Sequence, residues 1–230
     1  MPDSPLSPPR WERRKDARPA ELLAAALSLF VERGYAGTRL EDVAARAQVS
    51  KGTLYLYFAN KEELFKAVVR DSVVSLIRRR ADELDAATGP SEALLRDIVA
   101  AWWNDFGSTQ AGGITKLMMA ESGNFPEIAR FFLDEVIEPW HAVLRRIIER
   151  GISRGEFRQV DTTLYARVMT APMVMLSLWK HSFGPCSAEP IDPHRYLDTL
   201  LDAHLAALKP PPAEATATRS HKRRSAQSAA

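Results

Sequence analysis

The chain has almost no cysteine: Cys186 is the only one in 230 residues. That excludes an intrachain disulfide and a multi-cysteine zinc site. Neither sign of charge is in much excess, since 31 Lys and Arg face 29 Asp and Glu for a formal net charge of +2. Bulk electrostatics therefore cannot attach the chain to a polyanion, and any basic signal has to be local. No uninterrupted apolar run approaches the roughly 18 residues of a membrane span. The opening PDSPLSPP has no apolar core of the secretory kind. The expectation is a soluble, cytoplasmic protein with no membrane contact. No segment alternates apolar and polar residues for long enough to need a strand, and no internal repeat is visible, so the fold class is all-α.

What the chain does have is apolar content of 46%, enough for a sizeable core. Its charge is also unevenly spread. Residues 1–80 carry fifteen Lys or Arg and ten Asp or Glu, a net of +5, which leaves sixteen and nineteen, a net of −3, for the rest. A basic front and a mildly acidic remainder fit a protein that meets phosphate only at its front.

Helix signals give about nine helices. Pro19 starts a helix that runs to Arg33, with Leu22, Leu23, Ala26, Leu27 and Phe30 on one face and Gly34 ending it. Thr38, with Glu41 three residues on, reads as the cap of helix two. Ser50 caps helix three, Lys51 to Phe58, and Asn60 caps helix four, whose apolar stripe from Leu64 to Ile77 outlasts a small domain and links it to the next. Further helices are expected over Ser91–Phe106, Ile114–Glu121, Glu127–Arg150 with a bend at Pro139, Asp161–Ser182 with a kink at Pro172, and Pro193–Leu208. The expected layout is a flexible basic N-terminal arm (1–18), a three-helix head (19–66), a helical bundle (67–209) and a disordered tail (210–230) with the basic cluster His221–Arg224.

Three helix starts within Thr38–Phe65 have the compact layout of a helix-turn-helix. On helix three, Leu54 and Phe58 are four apart and face inward. That leaves Lys51, Thr53, Tyr55 and Tyr57 for a partner, and Gly52 clears space for close approach. Lysine and threonine can bond base edges in the major groove, and tyrosine hydroxyls can reach phosphates. Lys61 adds positive charge where helix four has free N–H groups. The segments GYAGT (Gly34–Thr38), TRLEDVA (Thr38–Ala44), VSKGTLYLYF (Val49–Phe58) and NKEELF (Asn60–Phe65) resemble the DNA-binding domain of the TetR family of bacterial transcriptional regulators. The later helix pattern, with its GEFR turn at Gly155–Arg158, is similar to that family's C-terminal domain. The resemblance implies phosphate contacts from Thr38, Tyr55, Tyr57 and Lys61, base approach by Lys51, Gly52 and Thr53, and Ser50 within the same DNA-facing set. Leu56 departs from the family, where an aromatic or basic residue is common, so no relative's operator sequence carries over.

The resemblance also implies a small-molecule effector and a homodimer acting on double-stranded operator DNA. Independently of it, bulky soft side chains concentrate between residues 102 and 179, and Trp102, Trp103, Phe106, Met118, Met119, Phe125, Phe132, Met169, Met173 and Trp179 are candidates to line an apolar effector site. Glu121, Glu135, Glu138 and His141 could favour a cationic ligand or be solvated faces. Val168, Ala171, Met175, Leu178, Leu197, Leu201 and Leu205, on the last two helices, are candidates for a four-helix dimer contact. No cofactor motif is present. His181, Cys186 and His194 are too irregularly spaced to argue for a metal. The functional expectation is a ligand-responsive repressor on a palindromic operator. The alternatives are an activator or partner-controlled regulator and, more remotely, a helical enzyme built around His141 and Glu138.

Overall fold

The computed structural model describes the backbone of residues 10–210 and the side chains of residues 19–210. The proline-rich start and the disordered basic tail expected from sequence fall on residues 1–9 and 211–230, outside the described residues. So do the side chains of the expected basic arm. The described residues are all-helical: α1 Arg10–Gly37, α2 Leu40–Arg46, α3 Lys51–Tyr55, α4 Lys61–Val69, α5 Ser75–Ala86, α6 Ser91–Trp102, α7 Gly113–Glu121, α8 Pro126–Phe132, α9 Glu138–Ser153, α10 Thr162–Ser182 and α11 Pro193–Leu208. Single π turns at Arg70–Val74 and Leu133–Ile137 join α4 to α5 and α8 to α9, and a third extends α6 through Trp103–Gly107. Counting each joined pair as one gives nine continuous rods among the described residues. None of these helices is long and apolar enough to cross a membrane.

The head comprises α1 to α4. Leu22, Ala26, Leu29 and Phe30 on α1 pack against Val43 and Ala44 of α2, Leu54 of α3, and Leu64 and Phe65 of α4, all of them buried. Truncating Leu54, which is fully buried, to alanine would cost about 2–5 kcal/mol by analogy with other core leucines. The backbone of α1 begins at Arg10 rather than Pro19. The segment before Pro19 is rich in Arg, Glu and Lys, good helix formers, and Pro19 removes only one backbone hydrogen bond from the rod. Gly34 ends the regular part of α1 as expected, with φ +77° and ψ 172°, a conformation other residues rarely adopt.

Two local expectations need correction. Thr38 does not cap α2. The residue at the cap position is Arg39, which makes no side-chain cap bond, and Thr38 is instead buried, with its hydroxyl 2.7 Å from Gly34 O and 3.1 Å from Leu29 O. The hydroxyl closes the end of α1 because it lies on the inner side of the turn. Helix α3 ends at Tyr55, three residues before Phe58, because the Tyr57 N–H bonds to Leu54 O and tightens the last turn. Ser50 and Asn60 do cap, accepting from the N–H groups of Thr53 at 3.0 Å and Glu63 at 2.9 Å. Pro139, where a bend is expected, is the second residue of α9 and directly follows the π turn Leu133–Ile137, near a helix start where a missing N–H costs least.

The body wraps α5 to α11 around Leu95, Val99, Ile114, Leu144, Ile147, Ile148, Met169 and Met173, all buried. Its seam with the head is tight. Gly113, at the start of α7, faces Val31 of α1, where a Cβ would come within 2.6 Å of the valine side chain. Tyr35 packs edge-on to Phe65 of the head and to Phe125 of the body, with ring centroids 5.3 and 4.8 Å away, and burial pushes its phenol up to about 12. Arg70 holds Glu135 with two hydrogen bonds, of 2.9 and 2.6 Å, and lies over Phe131.

Candidate functional site

The outward face of α3 follows from which side chains the core claims. Leu54 is fully buried, so its helix neighbours point away: Tyr55 is 44% exposed, Leu56 84% and Tyr57 39%. Lys51 pairs with Glu41 of α2 at 2.5 Å, and its ammonium stands 5.8 Å from the Tyr55 ring centre. The Glu41 hydrogen bond holds the Lys51 ammonium above the usual lysine range, so the charge is fully present at neutral pH. A Cβ on Gly52 would find only Ser50 Oγ, 3.8 Å away. Internal packing therefore gives no reason for glycine there, whereas close approach of an outside partner does. The Ser50 and Thr53 hydroxyl oxygens lie 2.8 Å apart and form the rim of this surface.

Two of the expected phosphate contacts are engaged within the protein. The Thr38 side chain is buried and bonds inward, so it cannot reach a phosphate as it stands. Lys61 donates to Tyr35 O at 2.9 Å and Ala36 O at 3.3 Å and lies 4.6 Å from the Tyr35 ring centre. Burial holds its ammonium below the usual lysine range. An ammonium has three donors, so one remains for an outside acceptor. Arg39, which is not among the candidates from sequence, is exposed beside this surface, close enough to Glu41 to help lower that carboxyl, and in no ion pair among the described residues. Its only sequence signal is a cation directly before helix two, which the reading of Thr38 as a cap obscured.

Within the body is a cavity of about 210 Å³. The π turns and rods bring to it Leu76 and Ile77 of α5, Trp102 and Phe106, Met118 and Met119 of α7, Phe132 and Val136, and Trp140 and His141 of α9. The indoles of Trp102 and Trp140 lie 6.5 Å apart across one wall. Trp140 Nε1 donates to Thr170 Oγ1 at 3.2 Å, and that hydroxyl donates to Ala166 O at 2.9 Å, so both groups are satisfied. At the rim Arg80 bridges Glu83 at 2.6 Å and Asp105 at 2.5 Å.

The family model described as "Bacterial regulatory proteins, tetR family" matches residues 22–68, and "Tetracyclin repressor-like, C-terminal domain" matches residues 85–203. The chain belongs to the TetR family. It is similar to the HTH-type transcriptional repressor KstR2 of Mycolicibacterium smegmatis, 28% identical over 202 residues, covering 87% of this chain and 93% of that protein. Its fold is shared with the fatty acid degradation regulator FadR from Bacillus halodurans, at TM-score 0.68 and 20% identity over 89% of this chain and 97% of that one. It is shared too with the FadR of Bacillus subtilis in complex with stearoyl-CoA, at TM-score 0.66 and 18% identity over 80% and 95%. As a TetR-type regulator the chain binds DNA and responds to a ligand.

The TetR body distributes the candidate effector residues unequally. Trp102, Phe106, Met118, Met119 and Phe132 line the cavity. Trp103, Phe125, Met169, Met173 and Trp179 do not. Trp103 is buried beside Gly107, Phe125 packs edge-on to Tyr35, Met169 and Met173 are fully buried in the core, and Trp179 packs at a tilt against Phe183. Helical periodicity marks an apolar face without saying whether a void or a neighbour lies opposite it, which is why α5 was also missed as a wall. The candidate dimer residues divide as well. Val168, Ala171 and Met175 are exposed along α10 and Leu178 is half-buried, and Leu164, 60% exposed, extends the stripe. Leu197, Leu201 and Leu205 are no more than 3% exposed, because α11 turns them onto α6 and α10 and leaves Asp198, Thr199 and Asp202 outside.

Proposed function

We propose that this TetR-type regulator is a repressor that binds a palindromic operator as a homodimer and leaves it when a small, largely apolar molecule fills the body cavity. The observation that carries this reading is the double duty of α7. Met118, Met119 and Ser122 line the cavity, while Glu121 between them accepts a hydrogen bond from Ala36 N–H in the head at 3.2 Å. A ligand that repositions the cavity wall acts directly on the element that holds the head. Release requires the ligand to bind the DNA-incompetent arrangement more tightly, by the same factor as it weakens operator binding.

On DNA, Lys51 and Thr53 read base edges with Gly52 allowing close approach, while Tyr55, Tyr57, Arg39 and the remaining donor of Lys61 fix register on phosphates. The exposed stripe Leu164, Val168, Ala171 and Met175 on α10 supplies the two-fold contact, which would set two heads against two half-sites. Repression is supported by the named role of the M. smegmatis relative, and a ligand with a long apolar portion by the stearoyl-CoA complex of B. subtilis FadR. The test is genome-wide mapping of bound sites, followed by titration of the recovered operator at fixed salt with and without a compound that binds the purified protein. Equal operator affinity in the two titrations would exclude that compound as effector, and upregulation of the genes beside the sites when the protein is present would overturn repression.

A further inference from the structure

No large apolar side chain among the described residues is as exposed as Leu56, at 84%, and Met119 follows at 63%. Its place on α3 gives that exposure a meaning. The helix turns about 100° per residue, so Gly52 and Leu56 each stand roughly 160° from the buried Leu54 and share one outward ridge, a single turn apart. Leu56 keeps this register at the end of α3. Its backbone is right-handed helical, with φ −69° and ψ −24°, and its N–H bonds to Gly52 O at 3.2 Å and Thr53 O at 3.3 Å. The polar side chains flank the ridge, Lys51 and Tyr55 on one side and Thr53 and Tyr57 on the other.

A leucine at the crest of such a surface offers no charge and no hydrogen bond to phosphate or to the polar atoms of a base edge. The apolar group that bases present in the major groove is the C5-methyl of thymine. Gly52, with no side chain, lets the ridge approach the groove closely enough for the leucine one turn on to reach the base edges. Sugar and phosphate lie to the sides, where Tyr55 and Tyr57 stand. The surroundings of Leu56 do not suit a protein partner. Leu164, Val168 and Met175 form a continuous apolar stripe on α10, whereas Leu56 is a lone aliphatic side chain between two tyrosines.

We propose that Leu56 is a specificity-determining residue that reads one thymine in each operator half-site through its C5-methyl group. The inference rests on the reading of the outward face of α3 as the surface that meets DNA, and the experiment separates the two. The probe is the duplex that the full-length protein enriches from a random pool, with each thymine replaced in turn by deoxyuridine, which pairs identically and lacks only the methyl. At one thymine per half-site the replacement should weaken binding about fourfold, the worth of one buried carbon, and in both half-sites together about fifteenfold. Leu56→Ala should keep the parent's urea midpoint, since the side chain is exposed, and should bind the thymine and deoxyuridine duplexes equally. Leu56→Met should keep most of the discrimination. Enriched half-sites without thymine, or thymines all replaceable at no cost, overturn the inference while leaving α3 as the reading surface. So does a methyl effect that survives Leu56→Ala, because another side chain then reads that methyl. A Leu56→Ala protein that is weakened on both duplexes and still discriminates between them places the leucine against sugar, and overturns it too. If no sequence is enriched at all, the reading of α3 fails and the inference with it.

Discussion

Oε1 of Glu121 accepts a hydrogen bond from the backbone N–H of Ala36 at 3.2 Å, across 85 positions of sequence. The same oxygen fills the space that a Cβ on Gly34 would need, 2.8 Å from where that atom would lie. Lys61 holds the other side of the turn through Tyr35 O and Ala36 O. The turn that closes α1 is thus clamped between the first residue of α4 and the last residue of α7. Glu121→Ala should leave the midpoint of urea unfolding nearly unchanged, since the bond is solvent-accessible. It should weaken operator binding roughly threefold, because the head loses part of its pre-set orientation. Anisotropy titration of a labelled operator reads this, and unchanged affinity would show that the contact plays no part in aligning the heads.

Gly52 separates a folding role from a binding role. A methyl group there meets nothing closer than Ser50 Oγ at 3.8 Å. Gly52→Ala should therefore fold with its stability unchanged or raised by up to about 1 kcal/mol, the usual gain of alanine over glycine in a helix. Its operator affinity should fall at least tenfold, as backbone approach to the bases is blocked. Matched unfolding and binding titrations on one preparation check both halves, and normal affinity would remove Gly52 from the interface.

These two positions also mark what the sequence could and could not reveal. The head was legible because its signals are local: Ser50 and Asn60 cap, Gly34 stops a helix, Leu54 anchors one, and each operates within four residues of chain. Thr38 was misread because a cap and an inward hydroxyl look alike until the turn before it is known. The cavity was half legible. Trp102 and Met118 announce bulky apolar surface, but whether such surface faces a void, as theirs does, or a neighbour, as with Met169 and Met173, depends on contacts many positions away. Leu197, Leu201 and Leu205 show the same limit, since an amphipathic helix fixes which face is apolar and leaves open whether that face meets its own chain or a second copy.

The exposed stripe on α10 predicts a concentration-dependent assembly. Met175, 55% exposed, lies at its C-terminal end. Met175→Asp should give a folded chain of unchanged helicity that sediments as a monomer, because two like charges would meet at a two-fold contact. Operator affinity should fall by more than tenfold as the two half-sites are no longer bound together. A variant that still sediments as a dimer would put the contact elsewhere.

Burial holds His141, His181 and His204 below the ordinary histidine value of 6.5. The unfolded chain therefore takes up protons near pH 6.5 that the folded chain refuses, and stability falls as pH drops through that value toward the depressed folded values. Carboxyls such as Glu135, lowered by the Arg70 hydrogen bond, contribute the same sign at lower pH, below about 4.5. Urea unfolding at pH 7.5, 6.5 and 5.5 should show a progressive loss, reduced in His204→Gln. Constant stability over that range would mean that these histidines are as solvated when folded as when unfolded.

The most direct test of the central claim is selection of bound sequences from a random duplex pool by the purified full-length protein. If α3 reads bases and two copies act together, the enriched sequences will form an inverted repeat whose half-site centres lie roughly one helical turn, or a multiple of it, apart. The same selection with Lys51→Ala would keep the repeat and lose the preference at one position of each half-site. Recovery of no enriched sequence, or of a single asymmetric site, would contradict the account.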